Sequence, residues 1–316
     1  MASEQEPSAY GNSPFGTASY MDYLHHSRYK HRLHSTLLTQ TAPPLIFVII
    51  TIKMSDIEKT LNNIRISSPL VHNITNYVVM NSTANALLAI GASPIMAHAI
   101  EEVEDIVTIA SSLVINMGTL SDKWIDSMLL AAKKAKETNT PFVFDPVGVG
   151  ASKYRTQTAL KIIETATPDV IRGNASEILA LAQLTNSTKG VDSTILTEDA
   201  VLGAIKLSKR LNNTVVISGA IDYIITGDAV SKISNGSPLM AKVTGMGCTA
   251  TAIIGACIAV EPDIHLASTA AMAIMGIAGD MADKSSKGPG SFQVNFTDSL
   301  YLISGEMIKK EIKLNE

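Results

Sequence analysis

The chain is short of several things at once. Charged residues fill 17% of its 316 positions and aromatics 5%, with a single tryptophan. The formal net charge is −4, so there is no clustered lysine and arginine to meet nucleic-acid phosphates, and no nucleic-acid partner is expected. Only two cysteines occur, Cys248 and Cys257, nine positions apart. That argues against a disulfide framework and against a zinc-ligand pair, and it fits a reducing cytoplasm. The apolar run PPLIFVIITIK that ends at Lys53 is too short to span a bilayer, and no small-x-small cleavage site follows it, so no membrane partner is expected. No G-x-x-x-x-G-K-[ST] loop occurs, and no G-x-G-x-x-G follows an N-terminal strand. A Walker-type phosphate loop is therefore excluded and a Rossmann dehydrogenase disfavoured.

What is abundant is small and branched apolar side chains, with hydrophobic residues at 46%. That excludes disorder of the whole chain and suits helices packed closely on a buried parallel sheet. Residues 1–53 read differently: they are polar, lack a helical or strand period, and carry His25, His26, His31 and His34 with no carboxylate or cysteine at ligand spacing. They are expected to form a poorly ordered extension. Met54 opens a clean amphipathic helix with Ser55 as its N-cap, and Met54 is expected to be the functional start of a single domain over 54–316.

From Leu70 on, short apolar runs ending in Gly, Pro, Asn or Asp alternate with helical patterns. LVHNIT, SPIMA, SLVINMG, PFVFDPVG, DVIRGN and NTVVISG read as buried strands. Helical stretches between them imply βαβ units, and so an α/β fold with a mostly parallel sheet and helices on both faces. DYIITGDAVSKISNG reads as an antiparallel hairpin turning at Gly227-Asp228, and the chain from Met246 to Glu311 as nearly all helix.

Ligands of open parallel sheets sit beyond the strands' carboxyl ends, so the polar residues there are the candidates. Asp145 closes an apolar strand ahead of a glycine turn, where it can hold a metal or a hydroxyl, or cap the next helix. Arg172 ends another strand beside a helix N-terminus, a placement suited to phosphate. Asn174 and Glu177 stand at capping-box spacing. Asn76 is either a cap of the following helix or a group of a substrate pocket. In VTGMGCTATAIIGA, Thr244, Gly245, Gly247 and Cys248 sit at a helix N-terminus, whose unpaired N–H groups favour a transferring phosphoryl. That position is expected to lower the Cys248 pKa and let the thiolate take a proton from an attacking hydroxyl.

Four pieces in order, LVHNITNYVVMNSTANALLAIGASPIMA, FVFDPVGVGAS, IRGNASEI and VTGMGCTATA, resemble the hydroxyethylthiazole kinases, ribokinase-like enzymes of thiamine biosynthesis and salvage. The resemblance covers roughly residues 66–295 and leaves the N-terminal extension outside. It implies a three-layer α/β/α fold and a homotrimer with interfacial active sites. It also implies transfer of the ATP γ-phosphoryl to the alcohol of 4-methyl-5-(2-hydroxyethyl)thiazole with Mg²⁺. It assigns Met96, Gly245 and Asn76 to the thiazole, and Arg172, Ser218, Asn174 and Thr244 to ATP. Asp145 and Glu177 fall to the metal, and Cys248 to the position of the catalytic base. A sibling hydroxymethylpyrimidine-type kinase, which usually carries aspartate at the cysteine's position, a non-catalytic nucleotide- or thiazole-binding protein, and a nucleotide-dependent dehydratase are the alternatives.

Overall fold

A computed structural model describes residues 48–49, 52–185 and 196–315. Among these described residues nine strands form one sheet in the order β1-β9-β8-β7-β6-β5-β4-β2-β3. The strands are β1 (Val48–Ile49), β2 (Leu70–Ile74), β3 (Ser93–Ile95), β4 (Ser112–Asn116), β5 (Phe142–Asp145), β6 (Val170–Asn174), β7 (Thr214–Ser218), β8 (Asp222–Thr226) and β9 (Ala229–Ile233). Every adjacent pair is parallel except β7–β8 and β8–β9, where the expected hairpin turns at Gly227.

The helices are α1 (Met54–Ser67), α2 (Met80–Ile90), α3 (Val103–Ile109), α4 (Asp122–Thr138), α5 (Lys153–Thr165), α6 (Ala175–Thr185), α7 (Leu196–Leu211), α8 (Met246–Ile258), α9 (Ile264–Ser285), α10 (Pro289–Leu302) and α11 (Gly305–Glu311). The strands' period of two sorts the layers. Val71, Val114, Val143, Val170 and Val216 face α1, α2 and α8–α11. Leu113, Ile115, Phe142, Phe144, Ile171 and Ile217 face α3–α7. The slimmer valines meet the alanine- and glycine-rich α8 and α9, so those helices lie close: a Cβ on Gly255 would come within 2.5 Å of Val114 Cγ2. The 22-residue α9 is long and apolar enough to cross a membrane, but 78% of its apolar window is buried as a core helix.

Two expectations shift. The tail boundary at residue 53 is too late, because Val48–Ile49 pairs in parallel with Ala229 and Val230 as an edge strand; residues 1–47, with the four histidines, lie outside the described residues. Ser55 is not the N-cap of α1. Lys53 occupies that position in extended conformation, and Met54 is already helical.

Candidate active site

The parallel strands bring their carboxyl ends to one rim. Read along the sheet from β3, that rim carries Met96, Asn76, Asn116, Asp145, Arg172 and Ser218, each at or just after the end of its own strand except Arg172, which stands two residues inside β6 and does not end it as expected. Helix α8 adds its N-terminus beside them. Its N-cap is Gly245 at φ +86°, and no side chain caps it. Only glycine takes that conformation cheaply, and here space forbids a side chain too: a Cβ would lie 2.7 Å from Val79 Cγ1. The uncapped amides of the first turn, Cys248 among them, carry the positive end of the helix dipole.

A line of hydrogen bonds runs through the rim. Asn76 Nδ2 donates to Cys248 Sγ at 3.5 Å and to Asn116 Oδ1 at 2.8 Å. Asn116 Oδ1 also accepts the Gly118 N–H at 3.0 Å, which fixes the way the amide faces. Its Nδ2 then donates to Asp145 Oδ2 at 2.8 Å. Thr251 Oγ1, one turn beyond Cys248 on α8, donates to the same Asp145 oxygen at 2.7 Å. Arg172 Nη1 stands 3.7 Å from it, and Arg172 Nη2 donates to Ser218 Oγ. Asp145, Asn116, Asn76 and Arg172 are all buried.

Burial pushes the Asp145 carboxyl up to about 6, against the pull of Arg172, Thr251 and Asn116 and with the charge of Glu177 adding to it. The thiol of Cys248 also goes up, through burial first and the charge of Asp145 second, with Asn116, Asn76 and Arg172 opposing. This overturns the expected lowering at a helix N-terminus. Desolvation and a neighbouring carboxylate outweigh the dipole, and Cys248 stands as a thiol at neutral pH.

Asn174 and Glu177 close the capping box as expected. Glu177 N–H donates to Asn174 Oδ1 at 2.9 Å, and Asn174 N–H donates to Glu177 Oε2 at 2.9 Å. Glu177 Oε1 also accepts the Gly148 N–H at 2.8 Å, tying the turn after Asp145 to α6. Asp145 does not cap the following helix; Ser152 does. Asn76 does not cap α2, whose N-cap position is Val79, because its amide is committed to Asn116 and Cys248. Thr244 lies exposed in the turn before Gly245. Met96 is half-buried at the end of the sheet's edge strand, away from the hydrogen-bonded line. Sequence reasoning missed Asn116 and Thr251. The same signal that marked Asp145, a polar residue closing an apolar strand before a glycine turn, was present at Asn116.

On the other side of Arg172 opens a cavity of about 620 Å³. Arg172, Ser218 and Gly247 line one end, and Met240, Met272 and Met275 line the apolar remainder. Two buried polar atoms of the rim have no partner, Asp145 Oδ1 and Arg172 Nε. An orphaned carboxylate oxygen beside an orphaned guanidinium N–H suits a bound cation and a bound anion together. Among the described residues no three histidine, cysteine or carboxylate side chains converge as a metal cage. Mg²⁺ does not need such a cage, since proteins hold it through one or two carboxylates with phosphates and water completing the shell. Asp145 fits such a role; both Glu177 oxygens are already engaged by N–H groups.

A mostly parallel sheet whose strand ends gather around an uncapped helix mouth, with helices on both faces, is an α/β/α fold of the ribokinase-like kind. A ribokinase-like superfamily protein from Enterococcus faecalis V583 shares the fold, with a TM-score of 0.58 at 13% identity over 83% of this chain and 96% of that one. Within that class the chain belongs to the hydroxyethylthiazole kinase family, whose model matches residues 61–306. It is 57% identical over 252 residues to the hydroxyethylthiazole kinase of Leptospira biflexa, covering 80% of this chain and 94% of that protein. To that of Syntrophus aciditrophicus it is 54% identical, covering 79% and 93%. The solved hydroxyethylthiazole kinase structure from Pyrococcus horikoshii OT3 matches with a TM-score of 0.77 at 42% identity, over 83% of this chain and 98% of that chain.

Proposed function

We propose that the protein transfers the γ-phosphoryl group of ATP to the primary alcohol of 4-methyl-5-(2-hydroxyethyl)thiazole, giving the thiazole phosphate used to make thiamine phosphate. The observation that carries this reading is the pairing of two orphaned buried groups, Asp145 Oδ1 and Arg172 Nε, beside the uncapped mouth of α8. ATP takes the methionine-lined cavity, its phosphates toward Arg172, Ser218, Asn174 and Thr244. The thiazole takes the opposite side, toward Asn76, Gly245 and Met96. A thioether suits a flat sulfur-containing ring.

Phosphoryl transfer through a loose transition state asks mainly for position and for charge stabilisation. The amides of α8 and the Arg172 guanidinium meet charge on the moving group. Mg²⁺ held near Asp145 supplies neutralisation of the phosphate oxygens when bound. Asn76 turns an N–H toward Cys248 Sγ, which leaves the sulfur's remaining lone pair and its own proton for the substrate hydroxyl. With the thiol protonated at neutral pH, Cys248 orients that hydroxyl, and the hydroxyl's proton passes to an oxygen of the transferred phosphoryl group late in transfer.

Exposed apolar side chains on the outer helices, among them Ile66, Leu88, Val294, Tyr301 and Leu302, support an assembled form, which we take as a homotrimer. Two free cysteines suit the cytoplasm.

The test is ADP release by the full chain with Mg-ATP, with and without the thiazole. Thiazole-dependent turnover supports the reading; turnover only with a hydroxymethylpyrimidine, or none from folded protein, rejects it. The pH profile tests the charge assignment. Asp145 holds its proton more readily folded than unfolded, so its contribution to stability is full below about pH 4 and is lost as pH rises through about 6. The carboxylate form, disfavoured by the fold alone, is the one a cation relieves. Mg²⁺ is therefore expected to raise the Tm above pH 6 but not below pH 5, and Asp145→Asn to abolish that difference.

A further inference from the structure

We propose that Arg155 is a positioning residue of this reaction, its guanidinium tying the loop after β4 to the loop after β5 and so holding the thiol side of the site at a set distance from the carboxylate side. The inference rests on the phosphotransfer reading above.

Strands β4 and β5 stay in register up to Asn116 and Asp145, and Met117 N–H still donates to Asp145 O at 3.3 Å. There the ladder stops. Pro146 has no N–H to give, and Val147 and Val149 turn their N–H groups back onto Asp145 O and Pro146 O at 2.9 Å each. The two loops part at the point where the site begins. Arg155, in the first turn of α5, spans the gap. Its Nη1 donates to Met117 O and to Val147 O, both at 2.7 Å, and its Nη2 donates to Gly118 O at 2.7 Å. One nitrogen thus joins carbonyls from both loops, and the second fastens the next residue of the first loop.

Each loop leans on one side of the site. The N–H of Gly118 holds Asn116 Oδ1, and a Cβ at Gly118 would lie 2.5 Å from Asn76 Nδ2, so this loop is pressed against the pair that meets Cys248. On the other side Gly148, at φ +72°, gives its N–H to Glu177 Oε1 and lies against Arg155 itself, where a Cβ would be 3.1 Å from Cδ. Asp145 lies three residues before it. No carboxylate among the described residues forms an ion pair with Arg155; its guanidinium hydrogen bonds go to these three carbonyls. Such a job needs the planar, multi-donor fork of a guanidinium. A lysine ammonium is a single point and cannot reach both loops in the same way.

The test uses the full chain and two variants, Arg155→Lys and Arg155→Ala. The readouts are kcat, KM for ATP, Tm, and the rate at which iodoacetamide alkylates Cys248, followed by mass spectrometry with the buried Cys257 as internal control. A misplacement near 1 Å between reacting groups costs on the order of 100-fold in rate. We therefore expect kcat of Arg155→Ala to fall by that order with KM for ATP within about twofold, since Arg172 and Ser218 stand on β6 and β7 and belong to neither loop. Methylguanidinium in the buffer should restore part of the kcat of Arg155→Ala, and Arg155→Lys should remain impaired. Cys248 should alkylate several-fold faster in both variants and Cys257 no faster. Wild-type kcat and Cys248 reactivity in Arg155→Lys would overturn the proposal. So would a loss that follows only the folded fraction and is not rescued by methylguanidinium. Should Arg155→Ala fail to fold, Arg155→Lys carries the same readouts. Should the wild-type chain lack thiazole-dependent turnover, the phosphotransfer reading fails, while Cys248 alkylation still decides whether Arg155 holds the two loops.

Discussion

At its mouth, α8 places Gly247 against the Arg172 guanidinium and leaves Cys248 half-buried beside Asn76. Two turns further in, the same helix places Gly255 against Val114 and Val71 and buries Cys257 completely. The residue types repeat and the environments do not. Burial pushes both thiols up; Cys257 sits in apolar packing with only the charge of Glu261 adding to the push, whereas Cys248 feels Asp145, Arg172 and two asparagine amides. A glycine at the mouth makes room for a charged side chain that has work to do; a glycine in the middle makes room for the sheet. The chemistry of α8 lies in what its first turn faces, not in the residues it is made of.

That contrast can be broken by adding one methyl group at each end. Gly247→Ala would bring a Cβ to 2.5 Å from Arg172 Nη1. A guanidinium end can swing aside at little cost to the fold, so the expected result is a kcat/KM loss of roughly 100-fold or more with the Tm nearly unchanged; a Tm drop with full activity in the folded fraction would erase the distinction. Gly255→Ala meets Val114 Cγ2, a stiff β-branched side chain in the core. Here denaturant titration should show about 1–3 kcal/mol of lost stability from overpacking, while kcat of the folded protein stays near wild type. The smallest effect belongs to Cys257→Ala, which removes one buried heavy atom. It should cost about 1 kcal/mol and leave the rate and its pH profile unmoved, whereas Cys248→Ala should lower kcat. If Cys248→Ala kept the wild-type kcat across pH, the thiol would have no part in the reaction.

Much of this was legible beforehand, because parallel strands announce themselves. Most strands from β2 to β7 are apolar runs stopped by Gly, Asn or Asp, and each start falls within one residue of its expected place, although the expected run through Asp145 extends three residues too far. The short α3, only seven residues long, offered too little period to register. At the rim, Asp145, Arg172 and Cys248 could be picked out one at a time, since each carries a charge or a thiol at or near a strand or helix end, while Ser218 came only with the family resemblance. What connects them could not be seen. Asn116 meets partners 40 and 29 positions away, and Arg155 gains its meaning only where two loops come together. The Cys248 pKa went the wrong way for the same reason: a helix dipole can be read locally, but the burial and the carboxylate opposing it belong to the folded whole.

The rim has one more consequence, for the order in which the protein becomes itself. Its groups run from Asn76, early in the chain's described part, to Cys248 and Thr251 far along it, and they are spread over the ends of β2, β4, β5, β6 and β7 and the first turns of α8. No hairpin or single βαβ unit contains a working portion of it. Long-range parallel pairing is slow to form because the loop-closure cost precedes the reward. Activity in a refolding chain is therefore the last signal to return, well after helical content, and enzymatic turnover serves as a stringent clock for completion of the entire sheet.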